Sequence, residues 1–585
     1  MNKNLVFDVE TDGLDPTEIF CIVTYDVDTG ITQTFAPSEL DEAYRLLLNC
    51  DKLIGHNIGN YDIPVVKKLA GVDLSEKRII DTLILSRLFN PTRAENHSLK
   101  SWGYRLNFPK TEFDEFDSYT PEMLEYCKND VLLNYKVYEA LRKESRGFSI
   151  DSINLEHKVS KLLRDQEDTG FLFDQRAGML LLAELNEKVE AIITEVHKVF
   201  RPKRIETKVY PKRTKSGAYG KLGETMEGKQ VRLTEDERKR MLSSGYITLV
   251  KVIDFNLGSR KQIGEYLQEF GWKPKDFTPT GQPIIDEPTL KKIKGIPAAL
   301  LIAEYLMLQK RVSQINSWFK ELAEDGRVHG YVNHNGTITG RMTHRNPNMA
   351  QIPAVRSPYG KECRDCWTVD NPYTHSIVGT DASGLELRCL AHLMNDTTFT
   401  DILLTGDIHT HNMKMAGLSD RDQAKTFIYA FMYGAGASKI GQIVGAGAKE
   451  GQQLINKFLS SMPALKRVRD AVTKAASKGT IKGIDGRRLH IRSPHSALNT
   501  LIQGAGAVVC KVWLCNMNKR INRTGIDAKL VASIHDEYQF EVSNKVINKF
   551  GQLTKDAMKD TEKQLQMRCP LDNEWKVGKT WAETH

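Results

Sequence analysis

The chain has no N-terminal leader-like apolar core and no hydrophobic run that reads as a membrane span. Met1-Asn-Lys-Asn passes straight into an apolar strand, which predicts that the mature chain begins there. There is no internal repeat and no low-complexity tail, which excludes a repeat array. The nine cysteines form no spaced framework, so a reducing compartment is expected. Cys363-Arg-Asp-Cys366 has metal-like spacing but no second pair, so its thiols are read as incidental. Charge is not lopsided either: a net +8 suits a polyanionic partner without proving one. What remains is ordinary globular composition, 40% hydrophobic and 27% charged. At 585 residues the chain is too long for one core, and roughly three or four domains are expected.

The chain is organised around Ile377-Val378-Gly379-Thr380-Asp381-Ala382-Ser383-Gly384-Leu385-Glu386-Leu387-Arg388. Ile377 and Val378 end a β-branched strand, and Leu385, Cys389, Leu390 and Leu393 recur at helical spacing. Asp381 therefore sits where a strand gives way to a helix. Ser383-Gly384-Leu385-Glu386 is also a legal capping box, so a purely local capping role competes with a chemical one. Two distant stretches favour chemistry. Arg421, Lys425, Tyr429 and Tyr433 are spaced four apart on one helical face, and Gly434 and Gly436 end that helix. His535-Asp536-Glu537 lies between Leu530–Ile534 and Tyr538–Val542, which read as a hairpin.

Two separated aspartates with a cationic, aromatic helix form the layout of a template-directed nucleotidyl transferase. In this order the motifs resemble the palm and fingers of family-A DNA polymerases, and within them the replicative polymerases of short-tailed bacteriophages, over nearly the whole chain. That resemblance implies that Asp381, Asp536 and the Ala382 carbonyl hold two Mg²⁺ ions, with Mn²⁺ able to substitute. It implies that Arg421, Lys425 and His409 contact the dNTP phosphates and that Glu386 is a steric gate against a ribose 2′-OH. Tyr429 implies ready acceptance of dideoxynucleotides. Tyr433 stacks near the templating base, and His535 lies at the primer end. Arg341, within Gly336–Pro353, and Gln503 contact the minor groove near the primer terminus, where acceptors are shared by all correct pairs; Gln351 belongs to the same primer-template group. Glu537 has no assigned role.

A second site is read at the N-terminus. Asp8 and Glu10 are two apart on a strand and so share a face. Asp62 follows His56-Asn57, and Thr120-Pro121 starts a helix on which Tyr126 and Asp130 share a face. The set Asp8, Glu10, Asp62, Asp130 and Tyr126 resembles the four-carboxylate, tyrosine-type 3′-5′ exonucleases. It implies a second pair of Mg²⁺ ions, with Tyr126 orienting the attacking water. Asp81 is read as packing or capping.

Between these sites, Leu155 begins a helix, Gly170–Asp174 reads as a short strand and Met179–Phe200 as a long amphipathic helix. Further helices are read in the stretch beginning at Asn256 and over Leu290–Ile296 and Ile302–Phe319. Arg201, Lys203, Arg204, Lys208, Lys212, Arg213, Lys215 and Lys221 stand against one acid, Glu206. With Tyr210, Pro211, Gly217, Tyr219 and Gly220 interleaved, this stretch reads as a loop or loosely folded tip that grips DNA phosphates.

The expected fold class is α/β and multidomain: a ribonuclease-H-like exonuclease domain over 1–145, then a right-hand polymerase. Connector and thumb span 146–330, with a basic tip at about 201–250. The palm takes 331–408 and 491–585, and the fingers 409–490. The resemblance implies primer-template DNA and dNTPs as substrates in phage genome replication. It also implies host thioredoxin, a primase-helicase and a single-stranded DNA-binding protein as partners, no membrane, and the infected bacterial cytoplasm. The competing readings are a repair or organellar family-A polymerase and a nuclease with an inactive polymerase module.

Overall fold

The computed structural model describes residues 3–213 and 219–585. The chain divides into two compact units, Met1–Asp174 with Glu321–His585, and Gln175–Lys320. The smaller unit lies inside the segment expected to hold connector and thumb.

The first part of the large unit runs β1 Asn4–Thr11, β2 Ile19–Asp26, β3 Thr32–Phe35, α1 Leu40–Leu48, β4 Lys52–Gly55, α2 Asp62–Ala70, β5 Arg78–Asp81, α3 Thr82–Phe89, α4 Leu99–Arg105, α5 Pro121–Glu144, α6 Ile150–Thr169 and β6 Phe171–Phe173. The five-stranded sheet has the order β3-β2-β1-β4-β5, with β1 antiparallel to β2 and parallel to β4. Strand period two sorts β1 cleanly. Leu5, Phe7 and Val9 pack into one core, whereas Val6 packs against Met123, Cys127 and Val131 of α5. Asp8 and Glu10 share the parity of Val6 and so point toward α5. Thr120 caps α5 with Pro121 at its first position, as the sequence predicts. Asp81 caps α3, also as expected.

The small unit begins with α7 Gln175–Val199, followed by β7 Lys203–Arg213, β8 Tyr219–Thr225, β9 Gln230–Arg232, α8 Glu235–Ser244, β10 Ile247–Ile253, α9 Arg260–Glu269, α10 Glu287–Lys291 and α11 Ala298–Lys320. The basic stretch is not the expected loose tip. It is an antiparallel sheet of order β10-β7-β8-β9, and Val209, Leu233 and Met241 form its core against α8. Residues 214–218, with Lys215 and Gly217, lie outside the described residues. The helix expected over Leu290–Ile296 ends at Lys291, before the left-handed Gly295 and Pro297.

The large unit resumes with β11 Arg327–Val328, β12 Tyr331–Asn333, β13 Thr343–Arg345, α12 Gly360–Asp365, β14 Trp367–Thr368, β15 His375–Ala382 and α13 Leu385–Met394. A helical layer follows: α14 Thr397–Thr405, α15 Ile408–Ala416, α16 Arg421–Met432, α17 Ala437–Ile443, α18 Ala448–Ser461 and α19 Pro463–Ala476. It closes with β16 Thr480–Lys482, β17 Arg488–His490, α20 Ala497–Thr524, β18 Ala528–Ile534, β19 Glu537–Ser543, α21 Ile547–Gln564 and β20 Asn573–Gly578. A four-stranded antiparallel sheet, β18-β19-β15-β20, carries this half. Its inner face, with Val378, Tyr538 and Phe540, shares one large core with Trp513, Phe550 and the helical layer. One helix, Pro494–Thr524, is apolar and long enough to cross a membrane by composition, which the sequence reading did not flag; 83% of its apolar window is buried within the fold. Its last turns are polar and reach solvent at Lys519, Asn522 and Arg523.

Two candidate active sites

Asp381 is the penultimate residue of β15, and its register partner across the sheet is Glu537, the first residue of β19. The β18–β19 turn therefore brings Asp536 to the same sheet end, where its carbonyl accepts from Ala382 N–H at 3.1 Å. His535 takes a left-handed φ of +57° in that turn. Asp381 has its pKa pushed up to about 7, first by desolvation and then by the charges of Asp536, Glu537 and Glu574. Asp536 is raised mainly by desolvation, with His535 and Arg341 opposing. Among the described residues neither carboxylate is ion-paired. A pair of hard oxygen donors that repel one another and lack a cation fits a divalent metal ion. Glu537 does not offer itself the same way, because its Oε1 already accepts from Trp581 at 2.8 Å, Gln539 at 2.5 Å and His585 at 3.0 Å. The capping-box reading fails: α13 starts from Gly384 in a left-handed conformation with no side-chain cap.

Glu386, in the first turn of α13, ties two elements together. Its Oε1 accepts from Arg341 Nη2 at 2.9 Å and its Oε2 from the Tyr433 hydroxyl at 2.7 Å. Tyr433 stands 6.4 Å, ring to ring, from Tyr429, and Tyr429 stands 6.2 Å from His409. Desolvation and then Glu386 raise the Tyr429 pKa, while desolvation followed by Arg421 and Lys425 lowers that of His409. Arg421 opens α16 and binds Asp407 through Nε and Nη2, at 2.7 and 3.1 Å. Asp407 also caps α15, which carries His409. Gly434, at φ +79°, closes the end of α16, where N–H groups of Gly434 and Ala435 reach back to Phe431 and Ala430. A recess beneath these groups is lined by Arg341, Leu385, Cys510, Lys511, His535 and Asp536. Gln503 lies half-buried on α20, one turn before Gly506 and Ala507, which line the same recess. Gln351 sits apart, exposed in the short helix Met349–Gln351.

At the exonuclease-like end, Glu10, Asp62 and Asp130 are all buried. Val9 N–H donates to Asp62 Oδ1 at 3.2 Å, which joins α2 to β1. Desolvation, then neighbouring carboxylates, lift Asp8 well above the usual range. Desolvation and Asp130 raise Glu10 to about 8. Desolvation holds Asp62 near 7 and Asp130 near 6. Ligand atoms of Asp8, Glu10 and Cys127 lie within 4.8 Å of one another, and Asp130 Oδ1 is buried without a partner. These features fit a divalent-cation site. Lys110, which sequence spacing did not single out, pairs with Asp130 and lies 4.7 Å from the Tyr126 ring centroid. All nine thiols are free, Cys363 and Cys366 included.

A model of DNA polymerase family A matches residues 227–583, and a model of the RNase H superfamily matches residues 5–119. The chain is 33% identical to the DNA-directed DNA polymerase of Enterobacteria phage T3 and 34% identical to that of Escherichia phage T7, over 99% of this chain and 100% of each relative. These alignments span 705 and 710 positions against 585 residues here, so both relatives carry segments that this chain lacks. Among solved structures, the POL domain of Pol1 from M. smegmatis, in complex with DNA primer-template and dNTP, superposes with a TM-score of 0.76. That match covers 100% of this chain and 96% of the other at 19% identity, and it shows a common fold.

Proposed function

The chain belongs to DNA polymerase family A, and we propose that it replicates a bacteriophage genome, extending a primer at the Asp381–Asp536 site and proofreading at the Asp8–Glu10–Asp62–Asp130 site. It is a DNA-directed DNA polymerase with an RNase H-like exonuclease domain. The observation that carries the two-site reading is the clustering of buried or crowded carboxylates at two separate sheet ends, Asp381 beside Asp536 at one and Glu10, Asp62 and Asp130 with Asp8 at the other.

Family members of both kinds use divalent metals; here Asp381, Asp536 and the Ala382 carbonyl would hold Mg²⁺ at one site, and Asp8, Glu10, Asp62 and Asp130 at the other. When bound, two ions per site, or Mn²⁺ in their place, supply Lewis acidity to the attacking and leaving oxygens. The chain's own residues do the rest. Arg421 and Lys425, with His409 beside them, grip the dNTP triphosphate and offset its charge as the pyrophosphate departs. Glu386, held from two sides, fills the space that a ribose 2′-OH needs. Tyr429 offers a hydroxyl near the sugar, which favours dideoxynucleotides. Tyr433 packs beside the templating base, and swinging of α16 about Gly434 and Gly436 closes the site over a correct pair. Arg341 and Gln503 test pair geometry in the minor groove, with His535 and Gln351 along the primer-template. At the other site Tyr126 orients the hydrolytic water.

Primer-template DNA and dNTPs are the proposed substrates, and the cytoplasm of an infected bacterium is the proposed place of action. A primase-helicase and a single-stranded DNA-binding protein are proposed partners. Host thioredoxin is proposed as a processivity partner at the basic sheet of the small unit; adding it should lengthen products per binding event, and no change rejects it.

A 5′-labelled primer-template with Mg²⁺, with and without dNTPs, tests the whole reading. Wild type should extend with dNTPs and shorten without them, Asp381→Ala should only shorten, and Asp8→Ala with Glu10→Ala should only extend. Shortening without any extension by wild type would leave a nuclease with an inactive polymerase module.

A further inference from the structure

Beneath the catalytic recess lies a buried charge cluster that no step above uses. Glu156, on α6, is fully buried. Its carboxylate accepts from Lys511 of α20 at 2.7 and 2.9 Å, pairs with Arg487 at 2.7 Å, and takes a hydrogen bond from His334 Nδ1 at 2.6 Å. Arg487 and Lys511 are buried as completely, and Arg487 is also held by Asp485 at 2.8 Å. Desolvation alone would raise Glu156, but the charges of Lys511 and Arg487 reverse that and hold it well below the usual range.

The cluster bonds the loop between β12 and β13 at its first residue and packs closely against it near its end. His334 is that loop's first residue. Gly340, near its end, has φ +76°, and a Cβ there would stand 2.9 Å from Arg487 Nη1 and 3.9 Å from Lys511 Nζ. The next residue is Arg341, whose N–H is held by Thr337 at 3.0 Å and whose guanidinium reaches Glu386. α6 is itself fixed against other elements. His157 accepts from Asp81 N–H at 2.9 Å, Arg164 donates to the Asn60 carbonyl at 3.2 Å, and Gln166 accepts from Ser533 at 2.6 Å. Glu156 therefore projects from a braced helix into the base of the loop that presents Arg341.

We propose that Glu156 is a positioning residue for the check on the primer end, fixing the 334–341 loop so that Arg341 reaches the minor groove of the terminal pair. This rests on the reading of Arg341 given above. A buried ion cluster is poor evidence for stability, since apolar replacement is often neutral or stabilising; a geometric role accounts for charges placed here.

The test compares extension of matched and mispaired primer ends at limiting dNTP. Glu156→Gln should lower the matched-to-mispaired ratio of kcat/KM by about tenfold, the scale expected when a positioning contact shifts. Because Glu156→Gln leaves Lys511 without its countercharge and can unfold the chain, Glu156→Leu with Lys511→Met is made alongside. That apolar pair should keep a wild-type melting temperature yet still lose discrimination; wild-type discrimination in it overturns the proposal. In an Arg341→Ala background Glu156→Gln should have no further effect on the ratio, and an additive loss also overturns it. If Arg341→Ala alone leaves the ratio unchanged, the minor-groove reading of Arg341 falls instead.

Discussion

Lys110 places its ammonium group on Asp130 and over the ring of Tyr126, so one cation stands among the four carboxylates of the exonuclease site. Its charge lowers the pKa values of Asp8, Glu10 and Asp130, against the larger effect of burial. Lys110→Met should therefore raise all three, so that fewer of these ligands are ionised near neutral pH. Degradation of a single-stranded 3′ end should fall several-fold near neutral pH, because the protons must leave before a metal ion binds. Part of the loss should return as pH rises, while primer extension stays at the wild-type rate. A loss that is the same at every pH would place Lys110 on the DNA and not on the carboxylates.

The same carboxylates make stability depend on pH in a definite direction. Their folded-state pKa values lie above those of the unfolded chain, so the folded state binds more protons between the two. Without metal, the contribution of these groups to stability should then decrease as pH rises from about 6.5 to about 8, where Glu10 ionises; below that range the buried His56, His97 and His344, lowered to about 4, contribute with the opposite sign. A divalent ion binds only the folded, ionised set, so its stabilisation should be larger at pH 8 than at pH 6. Melting temperatures in chelator and in Mg²⁺ across this range check both slopes. A chelated protein that becomes more stable toward pH 8 would contradict the assignment of these groups.

Glu386 links Arg341 to Tyr433, so shortening it should do more than open space for a 2′-OH. Glu386→Ala should raise ribonucleotide incorporation, and it should also cost matched-primer extension, because two donors lose a charged acceptor at once. Tyr433→Phe removes one of those bonds and leaves the gate in place; it should lower kcat/KM by roughly tenfold, as expected for a hydrogen bond to a charged group, without relaxing sugar selection. Equal ribonucleotide incorporation by both variants would mean that Glu386 acts through Tyr433 and not as a gate.

Much of this was legible in the sequence where one element fixes a face. Asp8 and Glu10 on a strand, or Tyr126 and Asp130 on a helix, have their relative placement set by backbone period alone. The β18–β19 hairpin that carries Asp536 was legible in the same way, but the register of Asp381 against Glu537 was not, because it pairs β15 with a strand far away in sequence. Lys110 was not legible, because it lies in an irregular stretch before α5 where no period applies. The basic segment was misread for a different reason. Ile205, Thr207 and Val209 alternate with Arg204, Glu206 and Lys208, the pattern of a half-solvated antiparallel strand, but the density of charge, glycine and proline obscured it. The capping box at Ser383 is locally permissible and lost to the left-handed turn at Gly384. Glu156 and Lys511, far apart in sequence, form a pair that only the fold creates.

The fork of Arg421 is already occupied, by Asp407, in a pair in which both side chains are roughly half exposed. A triphosphate presents pairs of oxygens that the same fork can bind, with more charge, so it competes with Asp407 for Nε and Nη2. Asp407→Asn keeps an acceptor for the N–H groups of His409 and Thr410, and so keeps α15 capped, but removes the competing charge. The KM for dNTP should therefore fall by about two- to fivefold, the range expected for an exposed ion pair, with kcat changed less. On the proposed role of Arg421, in which its cation also offsets charge developing on the leaving pyrophosphate, Arg421→Ala should raise KM and lower kcat together. Steady-state extension of a single matched nucleotide separates the two variants. A raised KM in Asp407→Asn would mean that Asp407 aims Arg421 at the phosphates, making the pair part of the grip and not a competitor to it.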